Sequence, residues 1–268
     1  MIPILLTDTV TPDPERALYY TMLWGLEGVM LRTVEKGRVP HLNLPRLRHH
    51  LEEAEMPVMA VSPGLFESSV FHTQQWMNDL FLLDEVLTFT QKMNCPLIEV
   101  SAFTAPETPQ ERLSAIEKAV QVLQKAGDRA AKANTTLAVL NEQGGIAGTS
   151  AELAELLSRV NHPHVRGAWN PYTAIRLGED IKTATQNLAG RTELVRLRDG
   201  IGQSSGWKEK VLGTGDLNLS EMLDILYKAG FRGLLVQEVF TEPKGPTGLH
   251  SATALIHMIR AITQKKAL

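Results

Sequence analysis

Cysteine is nearly missing from this chain. Among 268 residues only Cys95 carries a thiol, which excludes an intramolecular disulfide framework and every Cys-x-x-Cys zinc or redox motif. Cys95 itself, between a helix end and Pro96, reads as a small buried apolar residue. Positive charge is not in excess either. The 27 Lys and Arg stand against 30 Asp and Glu for a net charge of -3, so the electrostatic footprint of a nucleic-acid surface is lacking. No stretch approaches the roughly 18 apolar residues needed to span a membrane. Met1 to Asp8 has no positively charged start, and its apolar run is too short for a secretion signal. A cytoplasmic protein with no nucleic-acid and no membrane partner is therefore expected.

What is present is a regular alternation. Hydrophobic residues make up 43% and charged residues 21%, enough apolar material for a sizeable core. Short β-branched or leucine-rich runs at 2–7, 28–32, 57–62, 96–103, 136–141, 165–169, 192–197 and 234–239 are spaced by helical patterns. Asp13-Pro14 is expected to start a helix running towards residue 26, because Pro in a first turn loses nothing by lacking an N–H. Further helices are expected at 44–55, 74–93 and 251–263. Three later helices open with a capping-box pattern: Thr108-Pro109-Gln110-Glu111, Thr149-Ser150-Ala151-Glu152 and Asn218-Leu219-Ser220-Glu221. About eight strand–helix units without a compositional break predict a parallel sheet. About 250 residues suits a closed (β/α)8 TIM barrel, a single α/β domain over residues 1–268. A doubly wound open sheet is the alternative, but no Gly-x-Gly-x-x-Gly follows the first strand.

In such a barrel the C-terminal strand ends form the active face. That directs attention to Thr7, Asp8, Arg32, Ser62, Ser101, Asn141, Glu142, Asn170, Arg196, Arg198, Asp199 and Glu238. Side chains alternate along a strand, so Arg196 and Arg198 share one face and Val195 and Leu197 the other. The apolar pair suits the layer beneath the helices, which puts both arginines in the barrel mouth. Glu238 ends the face begun by Leu234 and Val236. A buried Arg needs a carboxylate or an anionic ligand, since an unpaired charge there is very costly. Glu238 can supply it, as a structural ion pair or as part of a substrate site. Of the eight histidines none lies at an expected strand end, and only His72, after the third strand's loop, is placed to reach the mouth. Residues 200–206 lack the Lys-Ser continuation of a phosphate loop and read as a mobile loop, a candidate lid. Residues 241–247, rich in Pro and Gly, read as a second such loop.

Several motifs then arrive in order. Leu140-Asn141-Glu142-Gln143-Gly144-Gly145, Ala168-Trp169-Asn170-Pro171, Arg196-Leu197-Arg198-Asp199 leading to Leu212-Gly213-Thr214-Gly215-Asp216, and Gly230-Phe231-Arg232-Gly233 leading to Gln237-Glu238 together resemble the xylose-isomerase-like (AP endonuclease family 2) TIM barrels. That family includes sugar isomerases, epimerases and inosose dehydratases. The resemblance implies a divalent ion (Mn, Mg or Zn) held by Glu, Asp, His and Glu at four strand ends. Carried over, those positions are Leu140, Asn170, Arg196 and Glu238. Leu cannot ligate, Asn offers one weak neutral oxygen, and Arg has no lone pair. In a second register, two residues on along the same face, Glu142 takes the first ligand position.

The expectation is thus a sugar or polyol isomerase or epimerase with an altered, metal-free site. Glu142 and Glu238 would be its proton-transfer pair. Arg32, Asn141, Asn170, Arg196, Arg198, Asp199 and His72 would be substrate contacts. The three arginines are expected to make a cationic mouth suited to a carboxylate or phosphate. The ligand is a small sugar, polyol or sugar acid, and the resemblance also implies a homo-oligomer. A catalytically silent ligand-binding barrel is the alternative. A metal-dependent endonuclease needs a multi-metal cluster and a basic track, and the chain supplies neither.

Overall fold

The computed structural model describes residues 1–202 and 206–264; positions 203–205 of the expected lid lie outside the described residues. Eight strands close on themselves: β1 (Ile2–Leu6), β2 (Val29–Leu31), β3 (Val58–Val61), β4 (Leu97–Val100), β5 (Thr136–Leu140), β6 (Val165–Trp169), β7 (Thr192–Leu197) and β8 (Leu234–Gln237). Each pairs in parallel with its neighbours in chain order. β1 closes the ring against β8 in the register Ile2 to Leu234 through Leu5 to Gln237, so the open-sheet alternative does not hold.

Strands buried on both faces read as continuous apolar runs. Here one face fills the lumen with Ile4, Leu6, Met30, Ala60, Leu97, Ala138, Leu140, Ala168, Leu194, Leu234 and Val236. The other face, including Val61, Ile98, Val139, Val195 and Leu197, packs beneath the helices. Those helices are α1 (Pro14–Leu23), α2 (Leu44–Glu53), α3 (Thr73–Lys92), α4 (Arg112–Lys132), α5 (Ser150–Val160), α6 (Pro171–Arg176), α7 (Ile181–Leu188), α8 (Leu219–Lys228) and α9 (Lys244–Gln264).

Only one expected capping box closes in full. Thr149 accepts from the Glu152 amide while Glu152 accepts from that of Thr149. Thr108 spends its hydroxyl on the Glu111 carboxylate, and Pro109–Glu111 forms a short 3-10 turn ahead of α4. Asn218 accepts from the Glu221 amide, but the return bond comes from its own side-chain amide.

Two loops differ from expectation. Residues 241–247 do not stay irregular, for α9 begins at Lys244. Its first turns dock tightly: a side chain at Gly248 would strike the ring of Trp24, and the Gly248 carbonyl accepts from Gln237 Nε2 at 2.9 Å. The described part of 200–210 is an antiparallel hairpin, Asp199–Ile201 with Lys208–Lys210, over the end of β7. No helix among the described residues is long and apolar enough to cross a membrane.

Candidate functional site

Two residues beyond the last lumen-filling side chain of each strand, a polar one follows. Leu6 is followed by Asp8, Met30 by Arg32, Ala60 by Ser62, Leu97 by Glu99, Leu140 by Glu142, Ala168 by Asn170, Leu194 by Arg196, and Val236 by Glu238. The apolar plug therefore forms the floor of a polar mouth at the C-terminal strand ends.

Arg196 lies at the centre. Its Nε is 3.1 Å from Glu238 Oε1 and 3.5 Å from Glu99 Oε2, with side-chain exposures of 9% for Arg196, 4% for Glu238 and 2% for Glu99. These distances make ion pairs, but the angles do not make hydrogen bonds. Arg196 Nε and Nη2, Glu99 Oε2 and Arg198 Nε are all buried without a hydrogen-bond partner among the described residues. Burial opposes the Arg196 charge, but Glu99, Glu238, Glu142 and Asp8 outweigh it, and its pKa stands above the ordinary arginine value. Burial has the opposite consequence for Glu99. It pushes that carboxyl above the usual glutamate range, against the pull of Arg196 and a hydrogen bond from Ser62 and with added repulsion from Glu238 and Glu142.

The other two arginines are also engaged. Arg32 Nε donates to Asp8 Oδ2 at 2.8 Å. Arg198 is clamped between the rings of Tyr172 and Phe240, its guanidinium carbon 4.0 and 4.2 Å from their centroids. It pairs with Glu209 on the hairpin and lies 3.9 Å from Glu238 Oε2. The expected cationic mouth is therefore corrected. Three guanidiniums (Arg32, Arg196, Arg198) face five carboxylates (Asp8, Glu99, Glu142, Glu209, Glu238), each of them paired with or electrostatically coupled to an arginine. Cationic and anionic groups are interleaved, without a positive surplus.

Four other expected site residues have different placements. Asp199 is buried on the outward face with Val195 and Leu197, where Oδ1 accepts from the amides of Gly200 (2.8 Å) and Leu217 (3.4 Å) and Oδ2 from those of Gly213 (2.8 Å) and Gly215 (3.0 Å). This bracket explains the Leu-Gly-Thr-Gly-Asp run, since a side chain at Gly215 would collide with the Asp199 carboxylate. Asn141 is also outward and buried. Its Oδ1 accepts from the Asn170 amide at 2.6 Å, and its Nδ2 donates to the carbonyls of Asn170 (3.2 Å) and Gly148 (3.4 Å). Asn170 faces the mouth, but its Oδ1 caps α6 by accepting from the Tyr172 amide at 3.2 Å. His72 is exposed at the N-terminus of α3 and makes no hydrogen bond or ion pair with the Arg196 cluster.

Glu99 is the residue that reading strand ends alone misses, because it lies inside β4 rather than after it. The signal was available: a lone acid at the second inward position of an apolar strand must meet a partner. Glu209, Tyr172 and Phe240 carry no such mark, as they reach Arg198 only through the hairpin and the chain following β6 and β8. The broader cavities lie off the barrel axis. One of about 420 Å³ is lined by α7, α8 and Trp207, and another of about 560 Å³ by residues 34–46.

The metal-ligand positions that the resemblance implies do not fit a divalent ion here. Leu140 belongs to the lumen plug and Asn170 Oδ1 caps a helix. A fixed cation occupies the imidazole position. Among the described residues no group of three or more His, Cys, Asp or Glu side chains is arranged to hold a metal.

The sequence profile of the xylose isomerase-like TIM barrels matches residues 22–262. No curated protein matches the chain in sequence. Among solved structures, an L-ribulose 3-epimerase superposes with a TM-score of 0.81 at 15% identity, over 99% of this chain and 97% of that one. The IOLI protein with a bound zinc atom gives 0.80 at 14% identity, over 99% of each chain. The 3-keto-D-glucoside 4-epimerase YcjR from E. coli gives 0.77 at 14% identity, over 96% of this chain and 99% of that one. At such identities the likeness shows the fold alone.

Proposed function

The chain belongs to the xylose isomerase-like TIM barrel family, and we propose that it binds a sugar or polyol at the barrel mouth without a divalent ion, Arg196 supplying the positive charge. One observation carries this reading: a buried guanidinium set between Glu99 and Glu238, with unpartnered polar atoms on both sides of the pair. Buried donors and acceptors left open in this way are rare unless a ligand or solvent completes them. A polyol offers both donors and acceptors, and an ion-pair lattice in which carboxylates outnumber guanidiniums suits a neutral molecule better than an anion.

The chemistry proposed is proton transfer beside a carbonyl, as in sugar isomerisation or epimerisation, and epimerases are named among the structures of like fold. In this reading Glu142 and Glu238 accept and return the proton, and Arg196 is the cation beside which an enediolate oxygen develops charge. A second reading, a binding barrel without turnover, draws support from the burial of Glu238 and Arg196, which are 4% and 9% exposed.

Metal analysis and a thermal-shift screen of neutral sugars and polyols, with and without Mn²⁺ or Mg²⁺, test the proposal. Protection by a neutral compound that is indifferent to added metal is expected. A stoichiometric ion in the purified protein, or protection that requires one, would overturn it. Uptake of deuterium from solvent into the protecting ketose then separates turnover from binding alone.

A further inference from the structure

We propose that Glu99 and Arg196 together form a seat for one hydroxyl group of the ligand, which makes Glu99 a specificity-determining residue. The inference rests on reading the mouth as a ligand site and deepens it by naming the chemical group held at its base.

Glu99 and Arg196 come from β4 and β7, three strands apart in the ring of eight, so neither is there to satisfy a neighbour on an adjacent strand. Both side chains are more than nine-tenths buried and stand directly above the apolar plug. Glu99 Oε2 lies 3.5 Å from Arg196 Nε, yet neither atom completes a hydrogen bond, and Arg196 Nη2 is also open. An acceptor and a donor left open side by side describe the group that fits between them. It must donate to Glu99 and accept from Arg196, which a hydroxyl does with one oxygen. A carboxylate or phosphate accepts only, and it would face Glu99 with like charge. An ammonium donates only, and it would face Arg196. The hydroxyl also tolerates either protonation state of Glu99, because it can accept from a protonated carboxyl as readily as it donates to an ionised one. Glu99 is 2% exposed, so its carboxyl stands at the base of the mouth and not in solvent.

The selectivity that follows is for neutral polyols and sugars over their acids. A site built to hydrogen-bond a hydroxyl rejects partners that leave its buried polar groups unpaired.

Two measurements test this, and they fail separately. The first is a high-resolution crystal structure of the ligand-free protein. An ordered solvent oxygen within hydrogen-bonding distance of both Glu99 Oε2 and Arg196 Nη2 is expected. Direct hydrogen bonding between the two side chains, with no oxygen between them, overturns the inference whatever the ligand turns out to be.

The second is calorimetric titration with xylitol, D-xylulose and D-xylonate. Xylonate is expected to bind the wild type about tenfold or more weakly than the neutral pair. Glu99→Leu should weaken the neutral probes by about tenfold to a hundredfold, and Glu99→Gln, which keeps a polar partner, by less. Unchanged affinity in Glu99→Leu refutes the role of Glu99 and leaves the binding site itself standing; a wild-type preference for xylonate refutes the selectivity for neutral ligands. If none of the three binds the wild type, the result counts against the proposed function, and the crystal structure decides the present point alone.

Discussion

Arg196→Met is the most informative single change, because it keeps much of the side-chain volume and deletes only the cation. It leaves Glu238 and Glu99 facing each other almost without water. Breaking a buried ion pair by removing one partner costs about 3–5 kcal/mol, a large share of the about 5–15 kcal/mol that holds a domain together. For a chain of this size that corresponds to a fall of roughly 6–20 °C in Tm. The loss has a ceiling, since a stranded carboxylate can take up a proton instead of staying charged. Glu99 is already biased that way by burial, so the deficit of the variant should shrink as the pH falls. Urea unfolding followed by circular dichroism measures it, with Glu99→Gln as the second arm of a double-mutant cycle. In the Glu99→Gln background the same Arg196→Met change should cost less, by about 0.5–3 kcal/mol. A loss below about 1 kcal/mol in the wild-type background, within the range of ordinary surface pairs, would refute the idea that Arg196 neutralises the mouth. So would equal losses in both backgrounds.

Three further outcomes follow from other groups. Asp199→Ala removes the acceptor for four backbone amides and should cost about 3 kcal/mol, with proteolysis over residues 199–217 accelerated; an unchanged urea midpoint would show that the bracket is dispensable. The raised pKa of Glu99 means that the folded state holds this proton more tightly than the unfolded one. Its contribution is therefore complete below about pH 4.3 and is lost as pH rises through the folded value. Glu99→Gln should consequently gain stability relative to wild type on going from acid to neutral pH, and a fall over that span in the stability of the variant minus that of wild type would contradict the sign. Burial pushes the Cys95 thiol up to about 12, so it should resist alkylation at neutral pH in the folded protein and react at once in denaturant; rapid native-state labelling counted by mass spectrometry would contradict its burial.

The barrel was legible because its two periodicities are clean. Runs such as Leu137, Val139 outside and Ala138, Leu140 inside state both that a strand exists and which way each residue faces. The same alternation puts Arg196, Arg198 and Glu238 in the mouth. Strand ends alone are too narrow a guide, however. Residues at strand ends include Ser101 and leave out Glu99, although Glu99 lies within β4 two residues earlier at the same parity. Asn141 and Asp199 illustrate the converse. They end strands and are polar, but they occupy odd positions in the alternation and turn outward, where they tie loops to the barrel rim. Parity, not polarity, separates the two groups. The α9 start and the hairpin were illegible for a different reason: each depends on a contact distant in sequence, Gly248 against Trp24 and Asp199 with Lys210, which local composition does not encode.

Replacing an imidazole by a guanidinium in this seat changes what the mouth can recognise. A guanidinium presents five N–H donors in one plane and accepts nothing, so every contact it makes must be with an acceptor held at a fixed angle. Glu238 and Glu99 crowd its Nε, while Nη2 is left open. Because those carboxylates already oppose the cation, the mouth has no positive surplus with which to draw an anion. Its discrimination must then come from geometry and hydrogen-bond sense rather than from long-range attraction. Affinity for a neutral ligand should accordingly be nearly independent of salt, whereas a site that recruits a sugar acid through Arg32, Arg196 and Arg198 would weaken as salt is raised. Titration of xylitol and of xylonate at low and at physiological ionic strength reads this directly. Acid binding that weakens strongly as salt is raised would mean that the arginines act as a cationic surface after all, and that their carboxylate partners give way when the ligand arrives.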